Sequence, residues 1–120
     1  MTSSRSLLVK LTSGAEAPER ANQAFTVAAT AVASGVSVSL WLTGEAAWFA
    51  LPDRTLELEH ATPLEDLRAA VLAGGTLTLC TQCAQRRSIG PDDVIDGVRI
   101  AGAATFVEEA LVEGVQALVY

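Results

Sequence analysis

Short apolar runs, several of them β-branched, alternate along this chain with stretches of helical spacing, and that alternation limits the folds open to it. "SLLVKL" (6–11), "VSVSLWL" (36–42), "TLTLC" (76–80) and "VQALVY" (115–120) read as strands, with "VRI" (98–100) as a very short further candidate. Between them, Ala21, Phe25, Ala28 and Val32 recur on one helical face after Pro18, and Gly35 suits the stop. Strands that alternate with helices predict a mostly parallel sheet covered on both faces. The expected fold class is α/β, a three-layer α/β/α sandwich of four to five strands.

The other connections follow the same rhythm. "TGEAAWFALPD" (43–53) reads as a helical turn or short helix stopped by Pro52, and "RTLELEHA" (54–61) as an edge strand or a loop. Thr62 and Pro63 predict an N-cap and first helical residue, with Glu65 as the third-position acid and Leu64, Leu67 and Val71 on the apolar face. "TQCAQRR" looks like a helix starting where the third strand ends. "GPDDVIDG" reads as a capped turn, and "AATFVEEALVEG" (103–114) as a helix closed by Gly114.

Length and composition bound the function. At 120 residues, half of them hydrophobic, the chain is expected to form a single domain, 1–120, with a core that needs neither disulfide nor metal. A net charge of −6 argues against nucleic acid, whose phosphates call for basic patches, and against an anionic membrane surface. "MTSSRSLLVKLTSG" has too short an apolar run for a signal-peptide core, and no stretch approaches a membrane span. The expected location is the cytoplasm, where thiols stay reduced and structural disulfides are rare.

Both cysteines fall in "TLTLCTQCAQRRS" (76–88), as Cys80-x-x-Cys83 followed by Arg86 and Arg87. In an open α/β sheet, chemistry gathers at the carboxyl ends of strands, and Cys80 sits at such a strand-to-helix junction. Unpaired backbone N–H groups there stabilise an anion, whether thiolate or persulfide. Two buried or incidental cysteines are the bland alternative.

Other chemistries find less support. A closed zinc site needs four ligands, and one cysteine pair with the single histidine, His60, cannot supply them. Thioredoxin-like proteins place their CxxC after an early strand and a proline opposite it, unlike this chain. "TSGAEAP" after the first strand matches neither a dinucleotide fingerprint nor a phosphate loop, so no cofactor is expected. His60 reads as an exposed loop residue, Glu108–Glu109 as a solvated face and Asp92–Asp93 as a cap. Trp41, Trp48 and Phe49 read as core, with Trp48-Phe49 as a possible oligomer contact.

The order of "TSGAEAPERANQAF", "LWLTGEA" and "LCTQCAQRRSI…DDVIDGVRIAGAATFVEEAL" resembles the DsrE/DsrF-like family over nearly the whole chain. The resemblance implies a parallel α/β/α sandwich assembled as homotrimers or homohexamers. In relay members a cysteine at this strand end carries sulfur as a persulfide. Arg86 and Arg87 fall six and seven residues after Cys80, so the match makes Cys80 the carrier. Ser88 stands where the family often has glycine, and Cys83 is additional to the single-cysteine relay proteins, although some members carry CxxC.

A second thiol can resolve an oxidised or persulfidated Cys80 through a disulfide. Three readings therefore stand: a sulfur carrier with protein donors and acceptors, a CxxC redox switch or weak reductant, and a non-catalytic oligomeric subunit. The expected catalytic pair is Cys80 and Cys83. The expected binding residues are Thr81, Gln82, Arg86, Arg87 and Gly14, with no metal.

Overall fold

The computed structural model describes residues 5–120; residues 1–4 of the expected domain, and with them the start of the N-terminal segment read above, lie outside the described residues. Strands β1 (Ser6–Leu11), β2 (Ser37–Leu42), β3 (Thr76–Cys80), β4 (Arg99–Ala101) and β5 (Val115–Val119) form one sheet. Their order is β4-β3-β2-β1-β5 and every pairing is parallel. Period-two alternation assigns the faces. Val9, Leu11, Val38, Leu40, Leu42, Leu77 and Leu79 point to one side and belong to the main core. Ser39, Trp41, Thr78 and Arg99 occupy the opposite face in matching register.

Topology explains why the two faces are clothed unequally. Right-handed crossovers that step the same way across a parallel sheet deposit their helices on the same face. The steps β1→β2→β3→β4 all run one way. Helices α1 (Pro18–Ala33) and α2 (Leu64–Gly74) pack together over β1, β2 and β3. A 3₁₀ helix, Gly44–Ala50, and the short α3, Thr81–Arg86, join them in that core through Ala46, Ala47, Phe49, Cys83 and Ala84. The step β4→β5 runs back past three strands, so α4 (Ala103–Ala110) lies on the opposite face. That layer is thin: no residue of α4 is fully buried.

Local sequence accounts for the elements. Pro18 in the first turn of α1 supplies a preset φ, and Ala21, Ala24, Phe25 and Ala28 bury completely. The helix ends in a Schellman motif: Gly35 at φ +82° lets Gly35 and Val36 donate their N–H groups to the Val32 and Ala31 carbonyls, at 3.0 and 3.1 Å. Helix α2 starts one residue later than Thr62-Pro63 predicted. Pro63 is its N-cap, with an extended ψ of 137° and a ring that offers no acceptor for a side-chain cap bond, while the Thr62 carbonyl before it accepts from buried Asn22 Nδ2 at 3.1 Å.

Two further expectations are corrected. Helix α4 stops at Ala110 and not at Gly114, because Val115 must pair opposite Ser6 and residues 111–114 turn the chain into β5. Glu109 is not part of a solvated face. Its carboxylate accepts from Ser39 Oγ at 2.6 Å, Trp41 Nε1 at 3.0 Å and the Arg99 guanidinium at 2.5 Å. Phe106 stands edge-on to buried Trp41, with 5.3 Å between ring centroids. This cluster fastens α4 to the sheet. "RTLELEHA" resolves as loop, and the buried Arg68 guanidinium organises its approach by donating to the Phe49 and Arg54 carbonyls at 2.9 and 2.7 Å.

Burial alone would raise the Glu109 pKa, but the bonds from Ser39, Trp41 and Arg99, with the Arg99 charge, hold it below the ordinary 4.5. The folded state then binds this proton less readily than the unfolded chain, so the contribution is present above the unfolded pKa and lost as pH falls through the folded one. Glu109→Gln is expected to lower stability near neutral pH and to flatten the decline between about pH 5 and pH 3. Urea titrations across that range check this, and an unchanged acid slope would refute it.

Candidate functional site

Strand β3 ends at Cys80, which pairs in register with Ala101 of β4 and is also the N-cap of α3. The chain therefore leaves the sheet and enters a helix within one residue. Cys80 is half-buried, while Cys83, one turn on, is only 7 % exposed. Burial pushes the Cys80 thiol upward. The amide N–H groups of Cys83 and Gln82, the Cys83 thiol and the Arg86 charge act against it and outweigh it, so the pKa lies below the ordinary 9.0. A low-pKa thiol that keeps some solvent access is the reactive kind.

Cys83 is held in turn. The backbone N–H of Gly44, at the start of the 3₁₀ helix, donates to Cys83 Sγ at 3.2 Å. Gly44 has φ +55°, and a Cβ there would lie 2.8 Å from the Thr12 carbonyl oxygen. A Cβ on Gly14 would meet the Glu45 carbonyl oxygen at 2.5 Å, so the loops after β1 and β2 are in direct backbone contact. Both glycines are required because these loops converge on the cysteine pair.

The remaining expected site residues divide by placement. Thr81 is half-buried, with its hydroxyl near Gly102 after β4; Gln82 has an exposed side chain and contributes its amide to Cys80. Arg86 is exposed and reaches Cys80 through its charge. The Arg87 guanidinium is engaged within the protein, donating to Glu45 Oε2 at 2.9 Å from Nε and to the Cys83 carbonyl at 3.1 Å. Gly14 is buried at the same strand edge. The structure thus gathers Gly14, Cys80, Thr81, Gln82, Cys83 and Arg87 at the carboxyl edge of the sheet.

Sequence reading missed Gly44 and Glu45. The available signal was a glycine two residues past the end of a strand that ends beside the chemistry. Ser88 also gains a reason. It is C′ of a Schellman motif at φ +55°, with Ser88 and Ile89 donating to the Gln85 and Ala84 carbonyls at 3.2 and 2.9 Å. Glycine is the preferred residue at such a position. His60 is exposed in the loop before α2, and among the described residues no three His, Cys, Asp or Glu side chains form a metal-ligand group. Nor, among them, is any helix long and apolar enough to cross a membrane.

A five-stranded, all-parallel α/β protein with a cysteine pair at the carboxyl edge of β3 is the class that fold and site define. The chain belongs to the DsrE/DsrF-like family, whose family model matches residues 5–116. It is 30% identical over 89 residues to the uncharacterized protein MJ0989 of Methanocaldococcus jannaschii, covering 72% of this chain and 77% of that protein. In fold it is similar to the YchN protein of E. coli, with TM-score 0.82, 17% identity and coverage of 97% and 99% of the two chains. MTH1491 of Methanobacterium thermoautotrophicum, a protein of unknown function, gives TM-score 0.74 at 11% identity over the same shares.

Replacing Cys83 by alanine keeps the backbone amides on Cys80 and removes the thiol donor. Cys83→Ala is therefore expected to raise the pH midpoint of Cys80 alkylation by roughly one unit, the size of one hydrogen bond to a charged group. Iodoacetamide rates followed against pH measure it, and an unmoved midpoint would show that the Cys83 thiol does not hold the Cys80 sulfur.

Proposed function

We propose that this is a cytoplasmic sulfur-handling protein in which Cys80 carries sulfane sulfur as a persulfide. The observation that carries the reading is the placement of Cys80, half-buried at the end of β3 and at the N-cap of α3, where the Gln82 and Cys83 amides, the Cys83 thiol and the Arg86 charge favour its anion. A persulfide is an anion of the same kind, and the same donors suit it. In loading, the Cys80 thiolate attacks the outer sulfur of a donor persulfide, a Cys80 S–S bond forms, the donor S–S bond breaks, and the donor leaves as a thiolate. A nucleophilic acceptor removes that sulfur by the reverse exchange.

Cys83 supports a second outlet. Its sulfur can attack the Cys80 sulfur, form the Cys80–Cys83 disulfide and release hydrosulfide, with two thiol electrons reducing the sulfane sulfur. A dithiol reductant then restores both cysteines. The one-turn spacing of the two free cysteines at the start of α3 also favours the redox-switch reading, in which the same disulfide forms without sulfur cargo.

Assembly into homotrimers or homohexamers belongs to this proposal. Its support is the distribution of apolar surface: the exposed large hydrophobic side chains among the described residues are Val107, Leu111, Val112, Leu118 and Val119, all on or beside α4 and β5. Leu118, paired with Val9, faces the other side of edge strand β5 from Val119, so apolar surface lies along α4, the following turn and both sides of that edge, and it suits contact between copies of the chain.

Incubation with inorganic polysulfide is expected to add sulfur to Cys80 by intact-protein and peptide mass spectrometry, with no adduct in Cys80→Ser and a longer-lived adduct in Cys83→Ala. Absence of a wild-type adduct, or one confined to Cys83, would overturn the carrier reading. For the assembly, Leu111→Lys with Val119→Lys is expected to shift sedimentation to the monomer with unchanged circular dichroism. An unaltered mass would place the interface elsewhere.

A further inference from the structure

We propose that Arg87 and Glu45 are a positioning pair for Cys83: they lock the Gly44 amide onto Cys83 Sγ and so set the rate at which Cys83 closes on Cys80. The proposal rests on the Cys80–Cys83 site and holds whether that site carries sulfur or only electrons. The Arg87 guanidinium touches both sides of the Gly44–Cys83 contact. On one side Nη1 donates to the carbonyl of Cys83 at 3.1 Å. On the other, Nε and Nη2 reach Glu45 Oε2 at 2.9 and 2.8 Å, on the residue that follows Gly44. One planar cation thereby bridges α3 to the start of the 3₁₀ helix, a span suited to the fixed fork of arginine.

The surrounding backbone makes this bridge effective. Gly44 lies against the Thr12 carbonyl, and Gly14 lies against the Glu45 carbonyl, so the segment bearing the amide is confined by the β1 loop. Its inner side packs against α3 through Ala46, Ala47, Cys83 and Ala84, and at the solvent side the Arg87–Glu45 pair spans the two elements. Arg87 is also poorly placed to serve as the anion-binding arginine. Its side chain is 18% exposed with donors already committed, whereas Arg86 is exposed and acts on Cys80 by charge. The two adjacent arginines therefore divide the work: Arg86 acts on Cys80, and Arg87 acts on Cys83 through Gly44. Glu45 is 53% exposed, so the ion pair adds little to global stability and its removal leaves a folded protein to measure.

Oxidised glutathione separates the two cysteines kinetically. The Cys80 thiolate attacks its disulfide, forming the mixed disulfide and releasing one glutathione thiolate. Cys83 Sγ then attacks the Cys80 sulfur, the mixed S–S bond breaks, the second glutathione leaves as thiolate, and the Cys83 proton passes to solvent. Rapid acid quenching with mass spectrometry follows both steps.

Arg87→Met and Glu45→Gln are each expected to leave the first step within about twofold and slow ring closure about tenfold, the effect of a mispositioned reacting group. The double variant should be no slower than either single one, and Arg87→Lys, which keeps the charge opposite Glu45, should recover part of the rate. Arg86→Met should show the opposite pattern, a slower first step with its pH midpoint moved upward and closure unchanged. Equal slowing of both steps by Arg87→Met, a shifted first-step pH profile, additive single effects or unaffected closure would each overturn the proposal. Circular dichroism and melting of every variant distinguish lost folding from lost positioning. Failure of polysulfide loading with this pattern intact would remove the carrier reading alone.

Discussion

The handedness of the crossovers governs this molecule. Three steps in one direction across a parallel sheet place α1, α2 and the short helices on one face, and the single return step leaves α4 alone on the other. Unequal clothing of the faces follows from that. The first face is an apolar core of leucine, valine, alanine and phenylalanine; the second combines serines, threonines and Trp41 with the Arg99–Glu109 pair. The same parallel arrangement brings the ends of β1, β2 and β3 to one edge, where residues distant in sequence can meet at a cysteine.

At that edge the chemistry is governed by backbone groups more than by side-chain charge. Cys80 receives amides from its own helix, and Cys83 receives the amide of Gly44 from the neighbouring loop. A backbone donor cannot swing away as a lysine can, and it brings no net charge that would attract stray anions. Preorganised dipoles of this kind stabilise a sulfur anion without reorganising when it forms. The close approaches at Gly14 and Gly44 are what place the loops near enough for this.

Much of this was legible in the sequence. Alternating strands and helices gave the parallel α/β class, because period-two and helical spacing survive in a short chain. Cys80 was readable as a strand-to-helix residue because "TLTLC" is a well-formed strand and "TQCAQRR" cannot continue it. Gly35 was readable as a stop from its place after an apolar helical face. Hidden features were those set by partners far along the chain. Glu109 looked solvated because Ser39 and Trp41 lie about seventy residues earlier, at separations of 70 and 68. The early end of α4 depended on the register between β5 and β1. Glu45 carried no local mark and Gly44 only its place just past β2, since their importance comes from Arg87 and Cys83 on another element.

The interior position of β1, between β2 and the edge strand β5, has a consequence for how the chain is made. One edge of β1 pairs with β2, complete by Leu42, but the other pairs with β5, and Thr12 bonds to a carbonyl 108 residues away. During synthesis, β1 thus waits with one row of backbone donors and acceptors open until residues 115–119 have emerged from the ribosome. A strand left half-paired for most of translation can recruit the wrong neighbour. On the face of β1 that α4 later approaches, Ser6 and Lys10 flank Leu8, so that side of the waiting strand offers a single apolar side chain.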